Sequence, residues 1–185
     1  MVHEFYNQRR RHLLDGIEPN PAHRALADLE KRFDGKVVVV TQNIDDLHER
    51  GGSRQVIHMH GEVLQSRCMG CGRITEIRED LTVHSECGAC GRTGALRPNV
   101  VWFGEVPFHM GEIQRHLSLA ELFLSIGTSG RVYPAAGFVE LARHHGARAI
   151  EVNLEPSGAS SAFHESLVGK AGELLPKVVE EILAR

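Results

Sequence analysis

Four cysteines form two closely spaced pairs, Cys68-x-x-Cys71 and Cys87-x-x-Cys90, with fifteen residues between the pairs. Each pair lets one tight turn aim two thiolates at the same metal ion, and this spacing is typical of zinc sites. Four sulfur ligands leave no open coordination position, so the zinc ion is expected to be structural and not catalytic. A redox site needs only one pair, so the second pair argues against that alternative. Reduced thiols without a metal are the other alternative.

Two histidines precede the first cysteine, in the segment His58-Met59-His60-Gly61-Glu62. An imidazole titrates near neutral pH and is a natural general base at the edge of a cofactor site. Gly61 allows another chain or a ligand to approach His60 closely. In an extended segment His58 and His60 would face the same way, so the spacing alone does not choose between them. A structural role for either histidine is the more common alternative.

Three apolar runs end in small or polar residues. The first run, Val37–Val40, is continuous and β-branched, which is typical of a strand buried on both faces of a parallel sheet. Because ligands of open α/β sheets bind at the carboxyl ends of the strands, three such ends predict a cofactor crevice. Loops are polar in any case, so one such end alone would mean little. The runs and their ends are Val37–Val40 with Thr41-Gln42-Asn43, Leu122–Ile126 with Gly127-Thr128-Ser129, and Arg148–Val152 with Asn153-Leu154-Glu155.

Helical patterns alternate with these runs. Asn20-Pro21 is a good helix start, because Asn can cap a helix and Pro is favoured at its first position. The alternation predicts an α/β fold with a doubly wound, parallel, Rossmann-like sheet. We expect residues 1–62 and 97–185 to form that domain and residues 63–96 to form an inserted zinc-ribbon-like module. The predicted helices span residues 1–14, 20–34, 112–119, 134–145 and 173–184.

Composition excludes several classes of function. The 185 residues carry a formal net charge of -3, which gives no sign of a nucleic-acid or membrane partner. No apolar run is long enough to span a bilayer or to form a signal-peptide core, so a cytoplasmic location is expected. The run Arg9–Arg11 is expected to be a solvated surface. In the zinc module Arg67, Arg73, Arg78 and Arg92 are balanced by Glu76, Glu79, Asp80 and Glu86, so a phosphate-binding surface is not implied.

Taken together, these motifs resemble those of a sirtuin, in the order and spacing of a bacterial NAD-dependent protein deacylase. The resemblance covers nearly all of the chain. It implies NAD as the cofactor, one structural Zn²⁺, and acyl-lysine proteins as substrates. It implies that His60 is the general base and that the remaining motifs line the NAD site. Those residues are Gln42, Asn43, Ile44 and Asp45 at the nicotinamide and ribose; Gly127, Thr128 and Ser129 at the phosphates and ribose; and Asn153, Leu154, Glu155 and Ala171 at the adenosine.

The resemblance also implies how the substrate is held. Val101, Phe103 and Gly104 lie in a segment that resembles the one pairing with the substrate peptide as an added β-strand. Tyr6 and Arg9 resemble the Tyr-x-x-Arg pair of sirtuins that remove acidic acyl groups. A guanidinium can bind a succinyl or malonyl carboxylate in two places, whereas an acetyl group offers no charge. Removal of acetyl groups is expected as well, and the implied products are free lysine, nicotinamide and O-acyl-ADP-ribose.

The chain departs from the sirtuin pattern at its start. It lacks the first strand, the glycine-rich loop and the cofactor loop, which in a doubly wound fold form the first βα turn and cradle the dinucleotide phosphates. The resemblance therefore implies an N-terminally incomplete domain that binds NAD weakly on its own. A misassigned start, a fragment and an inactive relative remain as explanations. The alternative function is an inactive, zinc-containing peptide-binding module; a zinc-ribbon nucleic-acid binder is disfavoured by the balanced charge.

Overall fold

The computed structural model describes residues 2–184. The helices are α1 (Val2–Leu14), α2 (Pro21–Arg32), α3 (Leu47–Gly51), α4 (Met110–Leu119), α5 (Phe138–His144) and α6 (Ala171–Leu183). The strands are β1 (Val39–Thr41), β2 (Val56–His58), β3 (Gly61–Cys68), β4 (Ile74–Glu76), β5 (Leu96–Val100), β6 (Leu122–Ile126), β7 (Arg148–Asn153) and β8 (Glu165–Val168). Two 3₁₀ turns, Ala135–Gly137 and Ser160–Ala162, complete the set. From residue 2 to residue 184, no helix combines the length and apolar character needed to cross a bilayer.

Parallel strands form the body of the fold. Strand β1 pairs with β2, and β6, β7 and β8 pair in that order, all in parallel. Within the described residues these two sheets are not hydrogen-bonded to each other. They nevertheless share both cores: Val39 and Ile126 belong to one cluster, and Val40 and Phe123 to the other. Alternate residues of β1 therefore enter the same two layers that β6 enters, as expected for strands of one layer.

Helices cover both faces of the parallel layer. On one face, α2 and α6 pack against Val152 of β7 through buried Ala, Leu and Val side chains. On the other face, α4 and α5 pack against β2, with Ile113 and Ala142 fully buried. This arrangement is the doubly wound α/β fold that the alternation predicted. Helix α2 begins as predicted, because the Asn20 side chain accepts hydrogen bonds from the N–H groups of Ala22 and His23.

The cysteine region carries a different, antiparallel sheet. Strand β3 lies between β4 and β5, and it extends from the end of the parallel layer to the first cysteine. The interval between His60 and the first cysteine is thus filled by one eight-residue strand, Gly61–Cys68. This strand joins the region around His60 to the four cysteines without a break.

Two predictions from the sequence were wrong in detail. The valine run packs on both faces as expected, with Val37 and Val39 in one core cluster and Val38 and Val40 in the other, but β1 begins only at Val39 and these valines are half-buried. The reason is that β1 has a strand partner on one side only among residues 2–184. The predicted helix 134–145 is a 3₁₀ turn followed by the shorter α5.

The arginine run Arg9–Arg11 is not uniformly solvated. Arg10 is fully buried, and its guanidinium donates hydrogen bonds to the carbonyl of Val63 at 3.0 Å, to Asn7 at 2.9 Å and to the carbonyl of Glu79 at 3.1 Å. Burial lowers the pKa of Arg10. Helix α1 turns this one side chain inward because residues 10 and 13 share its buried face with Asn7. Arg10 thus fastens α1 to the cysteine region.

Candidate functional site

The four cysteines converge on one point. The Sγ atoms of Cys68 and Cys90 are 3.7 Å apart, those of Cys71 and Cys87 are 3.8 Å apart, and all four lie within 4.8 Å of one another. A tetrahedral zinc ion with Zn–S bonds of about 2.3 Å requires sulfur separations of about 3.8 Å. Backbone N–H groups of Cys71 and Gly70 lower the pKa of the Cys68 thiol to about 6, whereas, against an opposing backbone N–H of Arg92, burial and the neighbouring sulfurs raise the pKa of Cys90 to about 11, so the fit to a metal rests on the sulfur geometry. The donor set therefore fits a closed zinc site.

The two histidines have different environments. Strand β2 ends at His58, and His60 lies in the turn before β3, so the predicted common orientation in one extended segment was wrong. The turn ends at Gly61, which has φ +79°. A Cβ atom at this position would lie 2.0 Å from the carbonyl oxygen of Asn99 on β5. The close approach that Gly61 was expected to allow is thus made by a neighbouring strand of the same chain.

His60 is held in one tautomer. Its Nδ1 atom lies 2.9 Å from the carbonyl oxygen of Gln42. A carbonyl oxygen only accepts, so Nδ1 carries the proton of this hydrogen bond and Nε2 of the neutral ring has a free lone pair. The side chain is half-buried. This arrangement leaves a fixed imidazole nitrogen that can accept a proton from a bound molecule.

His58 has a different partner. Its Nε2 atom lies 2.7 Å from a carboxylate oxygen of Glu49 in α3, and the ring is 8% exposed. Burial disfavours the charged ring, but the hydrogen bond that the ring donates to Glu49 and the charge of that carboxylate outweigh it and raise the pKa of His58. The His58 ring is thus committed to an internal pair, and His60 is the histidine that faces the strand ends.

A chain of hydrogen bonds runs from His60 across the ends of the parallel strands. The Gln42 side chain donates to Oγ1 of Thr128 at 3.2 Å, which joins the end of β1 to the end of β6. Asn153 at the end of β7 donates to the carbonyl of Thr128 at 2.7 Å. The N–H of Gly169 donates to the carbonyl of Asn153 at 2.9 Å, just before Ala171 begins α6. The predicted strand ends therefore meet along one edge, as a cofactor crevice requires.

The other predicted residues of the crevice have the following positions. Asn43 is exposed, and its N–H donates to Oγ1 of Thr41. Asp45 accepts a hydrogen bond from the N–H of Leu47 at the start of α3, so its carboxylate also holds a helix end. Ile44 points away from this edge into a small core with Leu13 and Val63. The exposed members at the other strand ends are Gly127, Ser129, Leu154 and Glu155.

The predicted acyl-selecting pair lies on α1. Tyr6 is half-buried and packs against the same small core as Ile44. Burial raises the pKa of Tyr6, while the nearby Trp102 indole and the guanidinium groups of Arg97 and Arg9 oppose the increase. Arg9 is exposed, with its guanidinium carbon 4.3 Å from the centre of the Phe5 ring. It forms no ion pair with any carboxylate between residues 2 and 184, so its charge is free to meet a ligand.

The segment expected to pair with the substrate follows β5. The N–H of Val101 donates to the carbonyl of His60 at 2.9 Å, so this segment is bonded to the backbone of the predicted base itself. Phe103 is fully exposed, and Gly104 has φ +88° in the turn that follows. Among residues 2–184, Phe103 and Gly104 form no hydrogen bond or ion pair with the residues of the strand-end crevice.

Three further residues, Arg97, Trp102 and Glu105, lie in or next to this segment. Trp102 and Glu105 were expected only as members of the peptide-pairing segment Val101–Glu105, and Arg97 was not expected to take part. Arg97 is buried and pairs with both carboxylate oxygens of Glu105, and its guanidinium lies over the Trp102 ring. The sequence gives one signal for them, the Trp-Phe-Gly-Glu run, but Arg97 lies in a strand that the sequence does not predict.

Comparisons with known proteins give the family. Residues 1–134 match the model of the Sir2 family. The NAD-dependent protein deacylase of Vibrio cholerae is 58% identical over 185 residues, which is 100% of this chain and 75% of that protein. A solved Sir2 homologue in complex with NAD is 35% identical, with a TM-score of 0.88, covering 97% of this chain and 70% of that one. Sir2Af2 bound to a myristoylated histone peptide is 36% identical, with a TM-score of 0.80, covering 97% and 79% of the two chains. The chain therefore belongs to the Sir2, or sirtuin, family.

Proposed function

We propose that this chain removes acyl groups from protein lysines in an NAD-dependent reaction, with His60 as the general base. The observation that carries the proposal is the fixed tautomer of His60 beside the strand-end crevice: its Nδ1 is bonded to Gln42, and Gln42 is bonded to Thr128. Support comes from the similar proteins, which include an NAD-dependent protein deacylase and a homologue in complex with NAD.

The crevice residues fit the parts of NAD. Gln42, Asn43 and Asp45 provide amide and carboxylate groups beside His60, as a ribose and a nicotinamide amide require. Thr128 and Ser129 provide backbone N–H and hydroxyl groups for phosphate and ribose oxygens, and Gly127, whose own N–H is bonded to the carbonyl of Val152, has no side chain to block their approach. Asn153, Glu155 and Ala171 lie beyond them and are proposed to hold the adenosine end. When bound, NAD supplies a ribose carbon from which nicotinamide can leave.

The protein's own part in the reaction is positioning and proton transfer. Nε2 of His60 accepts a proton from a ribose hydroxyl, and the Gln42 carbonyl holds the ring so that this nitrogen remains the acceptor. Val101, whose N–H is bonded to the carbonyl of His60, begins the segment that is proposed to pair with the substrate peptide. The overall reaction converts acyl-lysine, NAD and water into lysine, nicotinamide and O-acyl-ADP-ribose.

We further propose that the preferred acyl groups include succinyl and malonyl as well as acetyl. Arg9 is an exposed guanidinium with no carboxylate partner in the described chain, and Tyr6 is a half-buried phenol one helical turn away. A guanidinium binds a carboxylate through two parallel hydrogen bonds. A terminal carboxylate on the acyl group is the feature that these two side chains can recognise.

The zinc module is proposed to be structural. With four thiolates as ligands the metal has no open position, so residues 63–96 are proposed as a separate module inserted between the two parts, 1–62 and 97–185, of the NAD-binding domain. The four ligands are Cys68, Cys71, Cys87 and Cys90.

One assay tests the function and its base. The chain is incubated with NAD and acetyl- or succinyl-lysine peptides, and nicotinamide release is followed by mass spectrometry. The His60→Asn variant is expected to lose roughly 100- to 10,000-fold in turnover, because a general base contributes that much. His58→Gln is the matched control and should retain turnover. If neither the wild-type chain nor a longer form releases nicotinamide, the inactive peptide-binding module is favoured instead.

The acyl preference has its own test. Arg9→Met should reduce succinyl removal while sparing acetyl removal, since only the succinyl group carries a carboxylate. Equal losses on both substrates would reject the proposed role of Arg9. Arg24→Met, an exposed arginine on α2, serves as the control.

A further inference from the structure

Arg97 is a buried arginine on β5, the strand that follows the second cysteine pair. It lies on β5, directly after Leu96, which pairs with Cys68, and its side chain is 8% exposed. A charged side chain is rarely buried unless its charge is paired. The buried guanidinium of Arg97 therefore needs a partner for its charge, close to the proposed peptide segment.

The guanidinium of Arg97 closes the segment 101–105 into a loop. Its two Nη atoms donate to the two carboxylate oxygens of Glu105 at 2.7 Å and 3.0 Å, and one of them also donates to the carbonyl of Val100 at 2.9 Å. Glu105 in turn accepts a hydrogen bond from the N–H of Trp102 at 2.8 Å. The same carboxylate thus spans the loop, and Arg97 lowers the pKa of Glu105 to about 2, with help from the Trp102 N–H. Two-point pairing of this kind fixes direction as well as distance.

Arg97 also determines the position of Trp102. The guanidinium carbon lies 3.4 Å from the centre of the Trp102 ring, which is close contact for a cation over an indole face. The indole Nε1 is buried and has no hydrogen-bond partner in the described chain. Tyr6 of the acyl-selecting pair lies next to this indole and within the electrostatic influence of both Arg97 and Glu105. The loop and the indole therefore form one packed unit around Arg97, and Tyr6 lies near that unit.

Charge gives Arg97 a second effect. Glu105 is an anion near Tyr6, and an unpaired anion there would repel the carboxylate of a succinyl or malonyl group. Arg97 neutralises that anion, so Arg9 can act as an uncompensated positive charge. A lysine at position 97 would retain the charge but lose the fork and the planar stacking.

We propose that Arg97 is a positioning residue for substrate recognition: it holds the loop 101–105 against the backbone of His60, places Trp102 beside Tyr6, and neutralises Glu105, and thereby sets the affinity for acyl-lysine peptides and the preference for acidic acyl groups. This inference rests on the proposed function. Arg97 itself lies outside the predicted substrate segment, on β5, which leads from the zinc module to that segment.

The first test is optical, because Trp102 is the single tryptophan of the chain. Arg97→Met should shift the indole emission to longer wavelength, since the ring loses its cover and meets more water. The shift should be absent in Arg148→Met, which breaks a comparable but exposed pair, Arg148–Glu165, at 2.8 Å. An unchanged emission in folded Arg97→Met would overturn the proposal. This measurement needs no turnover, so it stands apart from the proposed function, whose failure would be the absence of nicotinamide release by wild type.

The second test separates geometry from charge by kinetics. Arg97→Met should raise KM for acetyl peptides roughly tenfold or more while kcat changes little, and should raise it further for succinyl peptides, as expected on loss of hydrogen bonds to a charged group. Arg97→Lys should recover the succinyl-to-acetyl preference but not the KM. The double variant Arg97→Met with Glu105→Gln should also recover the preference, because the repelling anion is gone.

ADP-ribose binding distinguishes positioning from general stability. Its affinity, measured by calorimetry, should be unchanged in Arg97→Met. A parallel loss of ADP-ribose affinity, kcat and peptide affinity would show a merely structural role and overturn the proposal. If Arg97→Met does not fold, Glu105→Gln alone tests the same loop through the more exposed partner, and it should raise KM in the same sense by a smaller factor. An unchanged KM in that variant would count against the proposal.

Discussion

The two sides of His60 are built from different kinds of interaction. On the zinc side, the antiparallel sheet is held by two buried guanidinium groups. Arg10 donates to the carbonyls of Val63 and Glu79, and Arg97 donates to the carboxylate of Glu105. On the crevice side, the ends of β1, β6 and β7 are joined by single hydrogen bonds between neutral groups, such as Gln42 to Thr128, and the buried carboxylate of Glu151 within β7 is an exception that accepts from Ser160 and Ser166. Charge-assisted hydrogen bonds are about twice as strong as neutral ones. The difference indicates a rigid side and an adjustable side of one site.

This contrast matches the task that each side is proposed to perform. A general base and a peptide segment must be held within a fraction of an ångström, which strong buried interactions achieve. A crevice that binds a long dinucleotide must exchange its own polar contacts for contacts with the ligand. Weak neutral bonds between exposed strand ends are easily exchanged. Four perturbations examine this division, two on the zinc side, one in the crevice and one beneath His60.

Metal removal should have the largest effect. In Cys71→Ser the module should lose order, since a structural zinc ion contributes roughly 10–16 kcal/mol in isolated zinc-binding peptides. Hydrogen exchange should accelerate in β3 and β5, while β6–β8 keep their protection and ADP-ribose still binds. Equal loss of protection in β6–β8 would show that the two sides are not separable. Met69→Ala, an exposed neighbour of Cys68, is the control.

Arg10→Met should have the next largest effect. It leaves the buried carbonyl of Val63 and the partly buried carbonyl of Glu79 without their donor, and we expect a loss of about 3 kcal/mol in the free energy of unfolding. Arg11→Met is a matched control one residue away, because Arg11 pairs with Glu4 and with Asp80 on the surface and is 50% exposed. Surface pairs contribute about 0–1 kcal/mol. Urea unfolding of both variants measures the difference, and equal losses would contradict the assigned role of Arg10.

Thr128→Val should have a small effect on stability and a larger one on ligand binding. The valine retains the shape but cannot accept the hydrogen bond from Gln42, which costs about 1 kcal/mol in the free energy of unfolding. Because Thr128 is also proposed to contact the nucleotide, ADP-ribose affinity should fall by more than that, as calorimetry would show. Thr93→Val, at an exposed threonine of the zinc module, should change neither quantity.

Glu49→Gln should have the smallest effect, and the effect should depend on pH. The raised pKa of His58 means that its contribution is complete below its ordinary value of 6.5 and is lost as pH rises through the higher folded pKa. Burial opposes ionisation of Glu49, but His58 lowers its pKa on balance, so its contribution is complete above 4.5 and is lost as pH falls through the lower folded pKa. The pair should therefore stabilise most near pH 6.

The expected loss in Glu49→Gln is about 0.5–1 kcal/mol at pH 6, because Glu49 is partly exposed, and less at pH 9. Thermal unfolding at the two pH values measures it. Glu112→Gln removes a more distant carboxylate, 3.6 Å from His109 and 3.9 Å from His116, and should show no such dependence. A loss that is the same at both pH values would reject the charged pair.

Features that depend on local spacing could be predicted from the sequence. The cysteine pairs converge as their spacing predicted, Asn20 caps α2, and the polar ends of β1, β6 and β7 meet along one edge. These features need only a turn, a cap or a strand end, so a few neighbouring residues determine them. Strand β8 was missed, because Glu165-Ser166 interrupts its apolar pattern and only its pairing with β7 makes it a strand.

Features that depend on distant partners could not be predicted. Arg10 resembles its neighbours in sequence, and its burial follows from carbonyl groups 53 and 69 residues away. Arg97 and Glu105 are eight residues apart, a spacing that has no fixed meaning in a strand followed by a loop. His58 and His60 could be told apart only when their partners, Glu49 and Gln42, were located.

Gly61, the residue after His60, has no space for a side chain. Any side chain at position 61 would place its first carbon 2.0 Å from the carbonyl oxygen of Asn99 and 3.0 Å from the ring of Phe108. Relief of that contact requires a backbone movement of about 1 Å, and a shift of that size can reduce catalysis about 100-fold. Replacement of Gly61 should therefore impair the proposed action of His60, although only His60 is proposed to transfer a proton.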